Sequence, residues 1–216
     1  MHQSTRKPMK SGKIGHVRII GGQWKGRRIK FSQVAGLRPT LDRVRETLFN
    51  WLMYDIKDAR CLDLFAGSGA LGIEALSRGA NELVFVEKNK KAADNLKQNL
   101  ASLNYADNSV FNTSAEVVFK KNQHPFDIIF IDPPFFQDYL TNTLNSINTP
   151  SFVKSGTLIY VEREKHSEPF SIPPNWQLEK EKQLGGLEFY LYQVQSIDTI
   201  NESDAPQNQA VDLDSL

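Results

Sequence analysis

The chain is organised around the stretch Cys61-Leu62-Asp63-Leu64-Phe65-Ala66-Gly67-Ser68-Gly69-Ala70-Leu71-Gly72. Its first five residues predict a short buried strand, and its glycines predict a tight turn that leads into a helix. Glu87 stands about 20 residues beyond the first glycine, at the end of the next predicted strand, where an acid can bind two ribose hydroxyls. The pattern therefore predicts a cradle for a nucleotide-type cofactor.

A second turn, Phe130-Ile131-Asp132-Pro133-Pro134-Phe135, follows a later predicted strand. The Asp132 carboxylate and the Pro133 carbonyl can accept both N–H groups of an exocyclic amino group, which directs the nitrogen lone pair towards an electrophile. The two prolines fix φ and hold these acceptors in place, and Phe135 can stack on a base that has been swung out. The alternative interpretation is a Pro-Pro turn that ends a strand and is capped by the aspartate.

Asp63 bears on the choice of cofactor. It lies shortly before the first glycine, where its negative charge disfavours a pyrophosphate and favours a cation such as a sulfonium or an amino group. The form Phe65-Ala66-Gly67-Ser68-Gly69 resembles the turn of S-adenosylmethionine (SAM) enzymes. Together with the Asp132 turn, these features favour SAM over a nicotinamide dinucleotide.

Strands alternate with helices along the middle of the chain. Strands are predicted at 61–65, 82–87, 109–113, 127–131 and 156–161, helices at 70–78, 90–103 and 139–147, and a closing hairpin at 176–194. This order predicts an α/β fold with an open, mostly parallel sheet and helices on both faces. Ligands bind such sheets at the carboxyl ends of the central strands, where Asp63, Glu87, Ser114 and Asp132 fall.

Charge is distributed unevenly. Residues 1–45 contain twelve Lys or Arg and one acid, whereas residues 197–216 contain five acids and no Lys or Arg. A strand at 17–20, a turn or bulge at Gly21-Gly22 and a second strand at 23–31 predict a basic hairpin, in which Trp24 and Phe31 stand among cations. Such interleaving suits phosphate contact with base stacking, although the aromatics of a small hairpin can equally pack on the main domain.

A helix is predicted after the hairpin, with Thr40 as its cap and one buried face. That face comprises Leu41, Val44, Leu48 and Leu52, joined by Trp51. Arg38 stands before the cap, and Arg43 and Glu46 can pair at i, i+3 on the polar side. A surface ion pair with no further role is the alternative.

The 216 residues suit one domain with appendages. We expect a basic disordered arm at 1–16, the hairpin at 17–36, the main domain at 37–195 and an acidic disordered tail at 196–216. No apolar run is long enough to span a membrane, no secretory signal precedes the fold, and the four histidines spell out no metal site. A single cysteine, Cys61, fits a reducing cytoplasm.

The chain resembles the RsmD family of bacterial 16S ribosomal RNA guanine-N2 methyltransferases, within the class I SAM-dependent methyltransferases. The match spans about residues 17–194 and is carried by the segments 18–27, 37–52 and 62–72 and by Asp132-Pro133-Pro134-Phe135. It implies a seven-stranded, Rossmann-like sheet with a small N-terminal hairpin and helix extension. It also implies SAM as the methyl donor, S-adenosylhomocysteine as the product, and methylation of N2 of one guanine, position 966, in 16S RNA.

The resemblance also implies roles for residues. The partner is 16S RNA in the small ribosomal subunit or a late assembly intermediate, with no membrane, and we expect a monomer in the cytoplasm. The catalytic set is Asp132, Pro133, Pro134 and Phe135. The cofactor set is Asp63, Phe65, Ala66, Gly67, Ser68, Gly69, Leu71, Gly72, Glu87, Lys88, Ser114 and Ala115. The RNA set is Arg18, Trp24, Lys25, Arg27, Arg28, Arg38, Thr40, Arg43 and Glu46.

One position departs from the wider class, in which an acid often follows the third strand and binds the adenine amino group. Ser114-Ala115 stands there, so Ser114 or a neighbouring backbone group is expected to do that work. Three other functions stay open. They are an adenine-N6 or cytosine-N4 methyltransferase, which also uses Asp-Pro-Pro-aromatic, a non-catalytic ribosome-assembly RNA-binding protein, and a nicotinamide oxidoreductase.

Overall fold

The computed structural model describes residues 14–32, 42–105, 109–119, 122, 124–133 and 139–196. Several predicted features lie outside these ranges. They are most of the basic arm and almost all of the acidic tail, together with Arg38, Thr40, Leu41, Pro134 and Phe135. No helix in the described part of the chain is long and apolar enough to cross a membrane.

Nine strands and five helices follow one another along these residues. They are β1 Ile14–Arg18, β2 Arg28–Ser32, α1 Asp42–Trp51, β3 Arg60–Asp63, α2 Ala70–Ser77, β4 Glu82–Val86, α3 Lys90–Ser102, β5 Val110–Phe111, α4 Ala115–Phe119, β6 Ile128–Ile131, α5 Tyr139–Ile147, β7 Leu158–Glu164, β8 Trp176–Leu184 and β9 Leu187–Val194.

The main sheet has seven strands in the order β5-β4-β3-β6-β7-β9-β8. The first five of these strands run parallel, while β9 pairs antiparallel with both β7 and β8. The predicted seven-stranded, mostly parallel sheet is therefore confirmed. The chain moves outwards from β3 to β4 and β5, then returns to β6 on the other side of β3, which places a crevice at the carboxyl ends of β3 and β6.

The hairpin strands differ from the prediction, and one helix was not predicted. The strand predicted at 17–20 is Ile14–Arg18 in the structure. The strand predicted at 23–31 begins only at Arg28, because Gly22 and Gly26 adopt φ values of 75° and 85° and residues between them form a turn. The short helix α4 was not predicted, since five residues are too few to show an apolar period. Gly79 follows α2 and has φ 103°, a conformation in which glycine commonly ends a helix.

The small β1–β2 sheet packs on the main fold through its apolar face. Val17, Ile19, Ile29 and Phe31 are buried in the same hydrophobic cluster as α1, α2 and α3. The buried side chain of Asn99 in α3 satisfies backbone groups of β2 as a neighbouring strand would. It accepts from Lys30 N at 3.0 Å and donates to Lys30 O at 2.7 Å. The hairpin is thus built into the same core as the domain that follows it.

Glu74 in α2 anchors the segment after β1 to the core through hydrogen bonds. Its fully buried carboxylate accepts hydrogen bonds from Ile20 N at 2.8 Å and Gly21 N at 2.7 Å. It also accepts from Arg78 Nε at 2.8 Å and lies 3.5 Å from Arg45 Nη1. Four donors surround one carboxylate, so its buried charge is compensated on every side.

Arg45 of α1 completes this arrangement from the opposite helix. Its buried guanidinium donates to Arg18 O at 2.9 Å and to Asp42 Oδ1 at 2.6 Å, besides facing Glu74. One turn further along α1, Phe49 lies under the Arg78 guanidinium, whose Cζ is 5.1 Å from the ring centroid. The helices α1 and α2 therefore meet through a buried charged layer as well as through apolar contacts.

We expect Arg45→Met to lower the free energy of unfolding by about 3 kcal/mol, because Glu74 would keep its charge and lose a buried partner. Urea denaturation followed by circular dichroism measures this change. The matched control is Arg43→Met on the exposed side of the same helix, which should change stability by less than about 0.5 kcal/mol. Equal stabilities of the two variants would contradict the role given to Arg45.

Candidate active site

The sheet brings together the acids predicted to form the site. In the ladder, Asp63 of β3 pairs with Phe85 of β4 on one side and with Phe130 of β6 on the other. Glu87 follows Phe85 by two residues, and Asp132 follows Phe130 by two residues. The three acids therefore stand at the carboxyl ends of three adjacent parallel strands, beside the crevice between β3 and β6.

The glycine turn between β3 and α2 has the conformation that its sequence predicts. Gly67 and Gly69 adopt φ values of 51° and 78°, which residues with side chains rarely adopt. At Gly72, a Cβ atom would lie 2.2 Å from Phe85 Cε1, so this glycine lets α2 pack closely on β4. Ala66 and Leu71 are buried around the turn, and Ser68 is half-buried.

Asp63 is buried beneath the turn. Its Oδ2 accepts a hydrogen bond from Gly72 N at 3.0 Å. Burial, helped by the negative charge of Glu87, raises the pKa of this carboxyl from 3.8 to about 7 against the opposing effect of the Gly72 hydrogen bond. A cation beside Asp63 would relieve both effects, so the site suits a positively charged ligand.

Glu87 is half-buried and oriented by the backbone. Gly67 N donates to its Oε2 at 2.7 Å, and Asn89 N donates to its Oε1 at 2.6 Å. Asn112 holds the same corner, since its side chain donates to the carbonyls of Glu87 at 2.8 Å and Lys88 at 3.1 Å. Each carboxylate oxygen has a second lone pair, so Glu87 keeps the capacity to accept from two ribose hydroxyls.

The residues after β5 supply a carboxylate that the sequence analysis missed. The Ser114 side chain hydrogen-bonds Glu116, and this contact is the largest of those that lower the pKa of Glu116. Tyr139 Oη donates to Glu116 Oε1 at 2.9 Å, and the Tyr139 ring lies 5.6 Å from the Phe65 ring. The wider class often has an acid directly after the third strand, where this chain has Ser114. Here the acid is Glu116, two residues later in α4.

Asp132 and Pro133 are the described part of the predicted catalytic turn. Asp132 is half-buried and follows directly after β6, and Pro133 is buried. The expectation for Pro134 and Phe135 lies outside the described residues. Asp132 therefore stands where the sequence predicts it, one strand away from Asp63.

The β1–β2 sheet carries its charge on one face. His16 pairs with Lys30 and Arg18 pairs with Arg28 across the two strands, and all four side chains are exposed. Like charges that face each other across a sheet destabilise it unless an anion lies between them. We call these four residues the cationic face; two of them, Arg18 and Arg28, belong to the predicted RNA set.

Of the other predicted RNA contacts on the hairpin, one side chain is exposed to solvent and two contact the main domain. Lys25 is exposed. Trp24 packs on the main domain at 6.4 Å from the Tyr105 ring, and Arg27 donates to Ser102 O at the end of α3. The alternative that the aromatics of the hairpin pack on the main domain therefore holds for Trp24 and also for the buried Phe31.

On α1, the ion pair differs from the predicted one. Arg43 and Glu46 are both exposed, and the i, i+3 ion pair of this helix joins Asp42 to Arg45 instead. Arg45 is turned towards the core by Glu74, which sequence spacing could not show because the two residues are far apart in the chain.

The sheet order, the glycine turn and the acids at the central strand ends define a class I methyltransferase, the class that takes its methyl group from SAM. The family model described as "Conserved hypothetical protein 95" matches residues 17–193. The chain is 45% identical over 188 residues to Ribosomal RNA small subunit methyltransferase D of Escherichia coli, covering 87% of this chain and 94% of that protein. It is 46% identical over 183 residues to the protein of that name from Haemophilus influenzae, covering 83% and 94%.

Among solved structures, the Escherichia coli protein yhhF superposes with a TM-score of 0.76 and 42% identity, covering 84% of this chain and 99% of that one. The chain belongs to the RsmD family of methyltransferases. The family resemblance drawn from the sequence is therefore confirmed.

We expect SAM affinity to rise about tenfold between pH 6 and pH 8, because a cation near Asp63 binds its ionised form and the carboxyl of the free protein has a pKa of about 7. Isothermal titration calorimetry over this range measures the dissociation constant. Asp63→Asn should weaken binding and flatten the pH dependence. An unchanged slope in that variant would remove Asp63 from the cofactor site.

The same pKa predicts the stability of the variant. The folded state keeps the Asp63 proton between about pH 4 and pH 7 while the unfolded state has lost it, so this group lowers stability as pH rises through that window. At pH 8, Asp63→Asn should therefore unfold at a higher urea concentration than the wild type while binding SAM more weakly.

Proposed function

We propose that this chain methylates N2 of a guanine, position 966, in 16S ribosomal RNA within the small subunit or a late assembly intermediate. It would do so in the cytoplasm and as a monomer. The observation that carries the proposal is Asp132 at the end of β6, next to the acids of the cofactor turn. Relatives at 45% and 46% identity that are named small-subunit ribosomal RNA methyltransferases support the substrate class.

SAM fits the residues at the strand ends. Asp63 would face the cationic methionine end, and Glu87 would accept from the ribose hydroxyls beside the Gly67 turn. Ser114, the backbone of Ala115 and the Glu116 carboxylate would surround the adenine, with Phe65 and Tyr139 nearby. When bound, SAM supplies a methyl group on a sulfonium, whose S–C bond electrons stay on sulfur as the N2 lone pair forms the new bond.

Asp132 and Pro133 would hold the amino group that is methylated. The carboxylate and the carbonyl would accept hydrogen bonds from its two N–H groups and so orient the nitrogen lone pair towards the methyl group. Catalysis would then come from positioning. The nitrogen carries a positive charge once its fourth bond has formed. Its proton then passes to the Asp132 carboxylate or to water, so no strong base is needed before that point.

The cationic face would bind the RNA backbone. Its Arg18–Arg28 cross-strand pair, together with Lys30, gains a favourable partner when phosphates lie over it. Lys25 extends this surface at the turn, while Arg43 and Glu46 lie exposed on α1. The predicted roles of Arg38 and Thr40 belong to the same proposal and concern residues outside the described ranges. The division of the chain at 1–16, 17–36, 37–195 and 196–216 also remains a prediction.

We expect Asp132→Asn to lower kcat for methyl transfer by about 100-fold or more, because the amide lacks the charge that holds the amino group and stabilises its cation. Transfer of labelled methyl from SAM to purified small subunits that lack the modification measures kcat. The matched control is Asp127→Asn at the other end of the same strand, where the carboxylate pairs with Lys154. Full activity of Asp132→Asn would disprove the catalytic role of the turn.

We expect the triple variant Arg18→Ala, Arg28→Ala and Lys30→Ala to weaken RNA binding and to reduce the slope of log K against log salt by about two. Filter binding of a 16S RNA fragment at several salt concentrations measures the slope. Lys165→Ala, directly after β7, and Lys180→Ala and Lys182→Ala in β8 remove the same charge elsewhere and serve as the control. Equal slopes in the two variants would mean that the cationic face does not contact RNA.

A further inference from the structure

A buried polar pair lies in β7, away from the cofactor turn. Tyr160 Oη donates to Glu162 Oε2 at 2.7 Å, and both side chains are buried. Withdrawing a carboxylate from water is unfavourable unless neighbouring groups compensate its charge. Hydrophobic residues of similar volume often stabilise a core as well as buried charged groups do, so stability alone does not account for the Tyr160–Glu162 pair.

The sheet register places this pair beside the proposed catalytic aspartate. Phe130 pairs with Tyr160, and Ile131, the last residue of β6, pairs with Val161. The next residues on the two strands are Asp132 and Glu162, and neighbouring strands lie about 4.8 Å apart.

The two acids also share a face of the sheet. The rings of Phe130 and Tyr160 are in contact, with centroids 6.5 Å apart, so they project from the same side. Asp132 and Glu162 each lie two residues further along and return to that side. Both acids lie near the Tyr160 hydroxyl. Its pKa is raised mainly by burial, then by Glu162, and also by the charge of Asp132.

Aromatic packing holds the pair in a fixed position. The Tyr160 ring lies 6.2 Å from the Phe189 ring on its other side, and Phe189 is the ladder partner of Glu162. The Phe130, Tyr160 and Phe189 side chains are fully buried. The Glu162 carboxylate is therefore oriented by a hydroxyl whose own ring cannot move without disturbing the core.

We propose that Glu162, held by Tyr160, is a positioning residue that orients the Asp132 carboxylate towards the incoming amino group. This inference rests on the proposed function. Repulsion between the two carboxylates disfavours Asp132 rotamers that lean towards β7 and favours those that face the crevice next to β3. The same negative charge favours the methylated nitrogen while it is still cationic.

Two variants test the inference. Tyr160→Phe removes the hydroxyl that orients Glu162, and Glu162→Gln keeps the shape but removes the charge. We expect each to lower kcat by about 10- to 100-fold, the range seen when a supporting partner is lost. KM for the small subunit and the dissociation constant of SAM should stay within about twofold, since neither ligand is bound by this pair. Glu164→Gln, two residues further along β7 and exposed, should leave kcat unchanged.

A conservative variant separates positioning from mere structural support. Glu162→Asp keeps the negative charge and should recover part of the kcat that Glu162→Gln loses. Wild-type kcat per folded molecule in both Tyr160→Phe and Glu162→Gln would overturn the inference, even if both melt at lower temperature. If Glu162→Gln does not fold, Tyr160→Phe decides alone.

Asp132→Asn, assayed in parallel, shows which claim has failed. Loss of transfer in Asp132→Asn with full kcat in the β7 variants contradicts only the positioning role. Full transfer in Asp132→Asn contradicts the proposed function itself.

Discussion

Glu74 has no exposed side-chain surface, yet its carboxylate accepts hydrogen bonds from the segment after β1 and from Arg78, and faces Arg45 of α1. It lies in α2, the helix that begins at the cofactor turn. Further along α2, Ser77 accepts from Gln23 N through its carbonyl at 2.7 Å. A Cβ at Gly22 would lie 1.7 Å from that carbonyl oxygen, so only glycine allows the approach. One helix thus fixes the cationic face and the glycine turn relative to each other.

Negative charge accumulates at the carboxyl ends of the central strands. Asp63, Glu87, Asp132 and Glu162 stand on four strands that are neighbours in the sheet. Gathering acids in a partly buried place opposes folding, as the raised pKa of Asp63 shows. Proteins keep such arrangements where function requires them. The proposed site, which would bind a cation and generate a second one on nitrogen, would be such a case, because both cations would relieve the repulsion.

Sequence periodicity and turn chemistry were sufficient to predict the main sheet, α5 and the closing hairpin. The predicted helix at 139–147 matches α5, because its apolar residues recur with a clear helical period. Local pattern could not show which charged residues are buried. Arg45 reads as one more cation in a basic segment, and only the tertiary contact with Glu74 makes it structural. Trp24 likewise reads as a base-stacking residue until Tyr105 is placed beside it.

The geometry of the candidate site was predictable where a motif fixes backbone and side chain together, as in the turn formed by Gly67, Gly69 and Gly72 above Asp63. It was less predictable where two elements meet. Glu116 is a candidate only because α5 brings Tyr139 to it, and Glu162 is proposed only because β7 pairs with β6. These contacts depend on strand order, which no local window of sequence contains.

The identity of the methylated nucleoside tests the central claim most directly. Small subunits that lack the modification would be incubated with the protein and labelled SAM, and the RNA digested to nucleosides and separated by chromatography with mass spectrometry. Our account predicts that the label lies in N2-methylguanosine at one guanine of 16S RNA. Label in N6-methyladenosine or N4-methylcytosine, or in DNA alone, would contradict it.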